Sequence, residues 1–176
     1  MKKLLLLCVY MLFCIANVFA QSNLKGEKNI SSIGGIFGYA IESEKAVVGV
    51  DFRYNILDRL RLAPSILYAV KKDHSDIWYF NADAHYLARI TQTITLYPIG
   101  GIGVSAWTLR YESNHLLDDI LNPKSVDTNV RVGVNLGFGG EIRVSKDVII
   151  GAEFRYNWTE RLYNQAMVLA RAAYYF

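Results

Sequence analysis

The chain has 176 residues, 52% of them hydrophobic and 13% aromatic, with 19 Lys+Arg against 16 Asp+Glu. That balance excludes a nucleic-acid binder, which needs a basic surplus on one face. Both cysteines, Cys8 and Cys14, fall in the first twenty residues, so the rest of the chain has no disulfide, thiol nucleophile or cysteine-based metal site.

Residues 1–20 read as a secretory signal peptide. Lys2 and Lys3 give a positive start, 4–15 is an uncharged apolar run, and Val18-Phe19-Ala20 closes it with small residues at the two positions a signal peptidase reads. Cleavage is expected after Ala20. The run is too short for a membrane-spanning helix, which needs about 20 residues. A lipoprotein is a weaker reading, because bulky Phe13 precedes Cys14 where a small residue is wanted. Losing Lys2 and Lys3 brings the surplus near +1. Residues 21–176 contain no long apolar stretch and are expected to form one domain.

That domain reads with period two. Eight segments of alternating polarity are predicted as strands: 30–42, 45–56, 60–70, 77–90, 93–108, 128–144, 148–158 and 166–176. Each is near or above the roughly 9–11 residues a tilted transmembrane strand needs. In 45–56, Val48, Val50, Phe52 and Tyr54 share one face, and Gly49, Asp51, Arg53 and Asn55 share the other. In 148–158, Ile150, Ala152, Phe154 and Tyr156 oppose Gly151, Glu153, Arg155 and Asn157. The stretch Gly49 to Asn55 thus recurs as Gly151 to Asn157. The strand count runs the copies in opposite directions, so convergence on one strand recipe explains them better than simple duplication.

A two-faced strand fits two folds. In a soluble barrel of lipocalin type the apolar face points inward. In a membrane barrel it meets lipid and the polar face points in. Three features favour the membrane barrel. Glycines sit among the charges on the polar face, as a crowded interior requires. Tyr39, Tyr54, Tyr68, Trp78, Trp158 and Tyr174 lie near strand ends on the apolar face, like interfacial girdles. Twelve tyrosines also exceed what a small soluble core normally uses. The fold class is therefore all-β: a closed, antiparallel, up-and-down transmembrane β-barrel of about eight strands. Pro64 and Pro98 lie inside predicted strands, and a closed barrel has no free edge to excuse a missing N–H. A bulge or irregular rung is expected at each.

With the N-terminus in the periplasm, turns 57–59, 91–92 and 145–147 are expected on the periplasmic side. Loops 43–44, 71–76, 109–127 and 159–165 are then external. Loop 109–127 is the longest. Its segment Asn114, His115, Leu116, Leu117 is the candidate contact for an extracellular partner, or else a flap over the barrel mouth.

The polar faces place Asp51, Arg53, Arg61, Asp83, His85, Arg89, Arg131, Glu141, Arg143, Glu153, Arg155 and Arg171 in the interior. Buried charges must be paired or solvated. Hairpin arithmetic sets Glu153 opposite Arg171, and Asp83 near Arg61 and His85. An eight-stranded barrel is only wide enough for side chains to fill it, so an ion-paired plug is expected rather than a proton or solute path. The scattered histidines His74, His85 and His115 show no metal-ligand spacing, and no cofactor is expected.

The chain ends Ala172-Ala173-Tyr174-Tyr175-Phe176. A last strand with terminal Phe176 and Tyr174 two residues earlier resembles the assembly signal of outer-membrane barrels. The whole of 21–176 resembles small outer-membrane barrels of the OmpX and OmpA transmembrane-domain type, within the broad porin-like group, by pattern, length and termini rather than by a residue motif. The resemblance implies an outer-membrane location, contact with membrane lipid and lipopolysaccharide, handling by the barrel assembly machinery, a monomer, and a structural or surface-interaction role. Two related small barrels are enzymes that modify lipid A. One needs His, Asp and Ser at the external rim, types offered by Asp73, His74, Ser75 and Asp76. Four consecutive loop residues point in different directions, however, so no enzyme is expected.

Overall fold

The computed structural model describes residues 28–72, 75–110, 126–159 and 163–176. The signal segment, His74 and the segment Asn114 to Leu117 lie outside the described residues. Nine strands are assigned: β1 Ser31–Ala40, β2 Lys45–Asn55, β3 Leu60–Lys72, β4 Ser75–Tyr86, β5 Ala88–Arg89, β6 Ile94–Arg110, β7 Val126–Arg143, β8 Val148–Trp158 and β9 Gln165–Tyr175. Every neighbouring pair is antiparallel. β1 pairs with β9, and β4 pairs with β6, so the sheet closes on itself. β5 continues β4 after the single residue Leu87, which makes eight staves in all. Closure follows from the alternation: with a lipid-facing apolar side on every stave, a closed sheet segregates the two faces and leaves no edge unpaired.

The prolines explain the irregularities. On the β2–β3 ladder the rungs at Phe52/Pro64 and Arg53/Ala63 are missing, and the same register resumes at Tyr54↔Leu62. The β4–β6 ladder stops at His85↔Ile99 and resumes on β5 at Ala88↔Leu96, skipping the position of Pro98. Each proline lacks the N–H that would complete one flank. On their other flanks Pro64↔Ala82 and Pro98↔Phe138 stay in register. The expected irregular rungs are present; the bulge is not. On the β3 side the ladder runs on, with Leu87 N–H donating to Arg59 O at 2.7 Å. The β3–β4 register shift lies elsewhere, between Ala69 and Lys72.

Parity sorts the side chains as the sequence requires. Val48, Val50, Phe52, Ile150, Val134 and Phe138 face out, while Asp51, Arg53, Glu153, Arg155 and Asn135 are buried inside. The outer wall carries aromatics at both ends. Tyr68 and Trp78 pack at 4.7 Å near one rim, and Phe52 and Phe176 at 6.5 Å near the rim that bears the termini.

The second and third external loops are shorter than expected, whereas the first, expected at 43–44, spans 41–44 because β1 ends at Ala40. Ser75 and Asp76 belong to β4, not to an external loop, and β6 and β7 extend to Arg110 and back to Val126. Continued cross-strand pairing, Ser75↔Leu109 and Arg110↔Val126, carries these strands past the predicted ends.

Candidate functional site

The interior is the site the fold builds. Asp51 and Arg53 on β2 point inward two residues apart, and Arg53 Nε meets Asp51 Oδ2 at 2.6 Å. Glu153 and Arg155 on β8 repeat the device, with Arg155 Nη2 to Glu153 Oε2 at 3.1 Å. Residues i and i+2 of a strand share a face, so an acid followed two positions later by Arg forms a pair within one stave. The two sequence copies are linked to each other, because Arg53 Nη2 also donates to Glu153.

Other groups complete the network. Tyr97 OH accepts from Arg53 Nη1 at 3.0 Å and donates to Glu153 at 2.9 Å. Arg61 grips Glu141 with two nitrogens at 2.7 and 2.8 Å and donates through Nε to Asn55 at 2.9 Å. Arg171 Nε reaches Asp51 at 2.7 Å, and its Nη2 donates to Ser32 at 3.1 Å. Arg155 Nη1 pairs with Asp83 at 3.1 Å. Four central guanidiniums thus meet four carboxylates, and bidentate Arg–carboxylate geometry is the strong form of the interaction. His85 is fully buried and its ring stacks on Tyr97 at 4.7 Å.

From Asp83 the polar file climbs one side of the barrel. Asn135 Nδ2 donates to Asp83 at 2.8 Å, Asn157 donates to Asn135 at 2.7 Å, and Thr159 Oγ1 donates to Asn157 at 2.6 Å. The opposite side of the upper interior is apolar: Ile36, Val47, Leu67, Ile77, Tyr79, Met167 and Leu169 pack into one buried cluster, with Trp107 against it. Arg131 lies near the loop end over Tyr163 at 4.9 Å. Arg89 and Arg143 lie at the terminus-bearing end, with Arg143 over Tyr175 at 5.0 Å.

Inward glycines make room for this filling. A Cβ on Gly34 would stand 2.7 Å from Asp51 Oδ1 and 2.8 Å from Arg171 Nε. On Gly139 it would stand 2.5 Å from the Tyr97 ring.

One expected pairing is corrected, and one expected proximity holds without a pair. Glu153 sits opposite Leu169, and Arg171 opposite Gly151, so these two charges are not cross-strand partners. Asp83 pairs with Arg155 rather than Arg61, although Arg61 does lie opposite His85. Of the candidate rim residues, Asp73 and His74 lie outside the described residues, and Ser75, on β4, accepts from Lys45 Nζ of β2 at 2.7 Å. Sequence reasoning missed Tyr97, the Asn81–Asn135–Asn157 ladder and the apolar cluster. Inward parity, carried from Asp83 and His85 back to Ile77, Tyr79 and Asn81, contains that signal.

A family model described as outer membrane protein beta-barrel domain matches residues 6–176. The chain belongs to that family. It is an outer-membrane β-barrel. No curated protein sequence matches it. Among solved structures, the N-terminal β-barrel domain of Pseudomonas aeruginosa OprF is similar at 15% identity and TM-score 0.62, covering 85% of this chain and 98% of that one. Ail, the attachment invasion locus protein of Yersinia pestis, is similar at 16% identity and TM-score 0.59, covering 85% and 100%. Neisserial surface protein A is similar at 15% identity and TM-score 0.53, covering 83% and 93%. At these identities the likeness is one of fold, and a fold does not choose a function.

Proposed function

We propose that this outer-membrane barrel is a non-enzymatic, non-conducting structural and surface-interaction protein. One observation carries the reading: the bore is filled by two materials side by side, an ion-paired polar file and a packed apolar cluster. A water path would have to break one or the other, and isolated buried charges are costly. In this reading residues 1–20 direct export and are removed after Ala20, and the terminus-bearing rim faces the periplasm. Tyr174 on β9 and Phe176 just after it, both outward, are read by the assembly machinery, and lipid and lipopolysaccharide cover the apolar wall.

The surface role rests on the β6–β7 hairpin. Its rungs continue to Arg110↔Val126, whereas among the described residues the β7–β8 ladder ends at Val134↔Trp158. Residues 126–133 of β7 therefore rise roughly 25 Å along the strand beyond that last rung, at about 3.3 Å per residue. Asn114 to Leu117 are the proposed contact for an extracellular partner.

Liposome swelling with the purified protein tests the closed bore: no solute flux is expected, and flux like that of a general porin would refute it. Mass spectrometry of lipid A from cells with and without the protein tests the non-enzymatic assignment. An unchanged acyl pattern is expected, and a changed one would establish the enzymatic alternative.

A further inference from the structure

One rung of the wall can be followed right round the barrel. From Trp158 it passes through Val134, Ile102, Ala82 and Pro64. It crosses the missing rung to Phe52, then runs through Ile33 and Tyr174 to Val148. The walk returns to β8 at residue 148 instead of 158, ten residues nearer the terminus-bearing rim. Rungs therefore climb obliquely from that rim to the opposite one. Two rows of outward side chains follow this slope over β2 to β7. The lower row holds Phe52, Pro64, Ala82 and Ile102. The upper row stands two residues nearer the opposite rim, with the registers Val50↔Ile66, Ile66↔Phe80, Phe80↔Val104 and Val104↔Val132. At about 3.3 Å per residue the rows are roughly 7 Å apart. The lower row dips in its middle, because Pro64 and Ala82 are short between Phe52 and Ile102. Below Ala82 the next outward pair is Ala84↔Gly100, and a Cβ on Gly100 would meet nothing within 4 Å. The result is a trough of about 460 Å3 on the outer wall, running from Ile33 to Val132. That is within the roughly 300–1,000 Å3 of small-molecule sites. Six staves about 4.8 Å apart make it roughly 24 Å long. Asp51, Ser65 and Asn81 lie beneath it, but their side chains are turned into the bore, where Asp51 accepts from Arg171 and Asn81 donates to Ser65. The surface the trough presents is apolar.

We propose that this trough is the seat of one acyl chain of lipopolysaccharide, laid along the rung from the Val132 end. The trough is continuous with the lipid-facing wall of the barrel, so hydrocarbon is what it meets. A chain moving from lipid to this wall removes no apolar surface from water, so packing decides. A chain that bridges the trough forfeits contacts across the gap, and one that lies in it regains them. Several chains share one lipopolysaccharide headgroup, so a chain beside the wall is already partly ordered and loses less freedom on seating. The Val132 end lies two residues beyond the Val134↔Trp158 rung, at the rim where lipopolysaccharide stands in the proposed orientation. The choice of lipid rests on that orientation; the trough itself does not.

The test is a titration of the folded barrel in nanodiscs of dioleoyl phosphatidylcholine, with lipopolysaccharide in one arm and dimyristoyl phosphatidylcholine in the other. Labelled methyl groups of Ile66, Ala82 and Ile102 are followed by NMR. Val168 is the reference, outward on β9, which lies across the barrel from β4. Lipopolysaccharide is expected to give saturable shifts at the first three. They should be half-complete at a mole fraction roughly threefold below that needed at Val168 or in the phospholipid arm, as suits a preference made of packing contacts alone. Ala82→Phe fills the trough from the lipid side and is expected to abolish these shifts while the barrel keeps its mobility on unboiled gels. Equal responses at Val168, absence of saturation, an equal response to the phospholipid, or unchanged shifts in Ala82→Phe would each overturn the seat. If Ala82→Phe does not fold, the wild-type map alone decides, since uniform shifts or none refute it. Liposome flux reads the bore and not the wall. A failed seat beside a closed bore therefore leaves the proposed function standing, and a saturable seat on a conducting barrel does the reverse.

Discussion

Arg53 on β2 and Glu153 on β8 meet across the bore and join the two copies of the Gly-x-acid-Phe-Arg-Tyr-Asn stretch. Glu153 also accepts from Arg155 and Tyr97. Glu153→Ala therefore takes a carboxylate from two buried guanidiniums at once, leaving Arg53 with Asp51 and Arg155 with Asp83. Breaking a buried pair by removing one partner costs about 3–5 kcal/mol, whereas an exposed pair is worth at most about 1 kcal/mol. The urea midpoint of the folded form, followed by mobility on unboiled gels, is expected to fall by the larger amount. A near-silent Glu153→Ala would contradict the inward network.

Gly139 supplies the second expectation. Its missing Cβ leaves the space that the Tyr97 ring occupies. Gly139→Val is expected to push Tyr97 off Arg53 and Glu153, at the roughly 1–3 kcal/mol typical of overpacking. Gly140, one residue on, faces outward, and its Cβ would meet the Leu96 side chain at 3.0 Å, a flexible neighbour. Gly140→Ala should therefore be much milder in the same urea series, and equal effects would refute the packing argument.

The faces of these strands were legible in the sequence, and most partners were not. Placing Glu153 against Arg171 differs from the true register by two residues. An even slip keeps every side chain on its own face, so both residues are inside as expected while their partners change. The actual partners, Arg53 for Glu153 and Asp51 for Arg171, lie across or around the closed barrel. Hairpin arithmetic between consecutive strands cannot reach them. Leu67 and Ile77 went unnoticed for a different reason: assigning apolar residues to lipid hides those whose parity points inward. Pro64 and Pro98 were legible because a missing N–H has a fixed consequence.

Orientation can be read directly, because the chain after residue 20 contains no cysteine. Single cysteines at Asn114 and at Lys146 are expected to differ. A membrane-impermeant maleimide added to intact cells should label the first and spare the second, which lies in the β7–β8 turn at the terminus-bearing rim. The reverse pattern would invert the topology.

Val134 and Asn135 separate the two faces within one strand, in a way the alternation alone describes incompletely. Val134 is exposed on the outer wall, on the rung with Trp158, and a charged residue on the lipid face costs about 2–4 kcal/mol at mid-membrane depth and less toward the rim. Val134→Arg is expected to slow insertion and lower the yield of the fast-migrating folded form. Period two by itself suggests that Asn135→Arg would be tolerated as an inward polar change. Its surroundings say otherwise: Asn135 is fully buried and donates to Asn81 and Asp83 while accepting from Asn157. An arginine there has no free volume and would compete with Arg155 for Asp83. Asn135→Arg is therefore also expected to destabilise, but after insertion, as a lowered urea midpoint with normal assembly yield. Val134→Arg shows the opposite split, poor yield first. Identical behaviour of the two variants in both measurements would refute the assignment of Val134 to lipid and Asn135 to the packed bore.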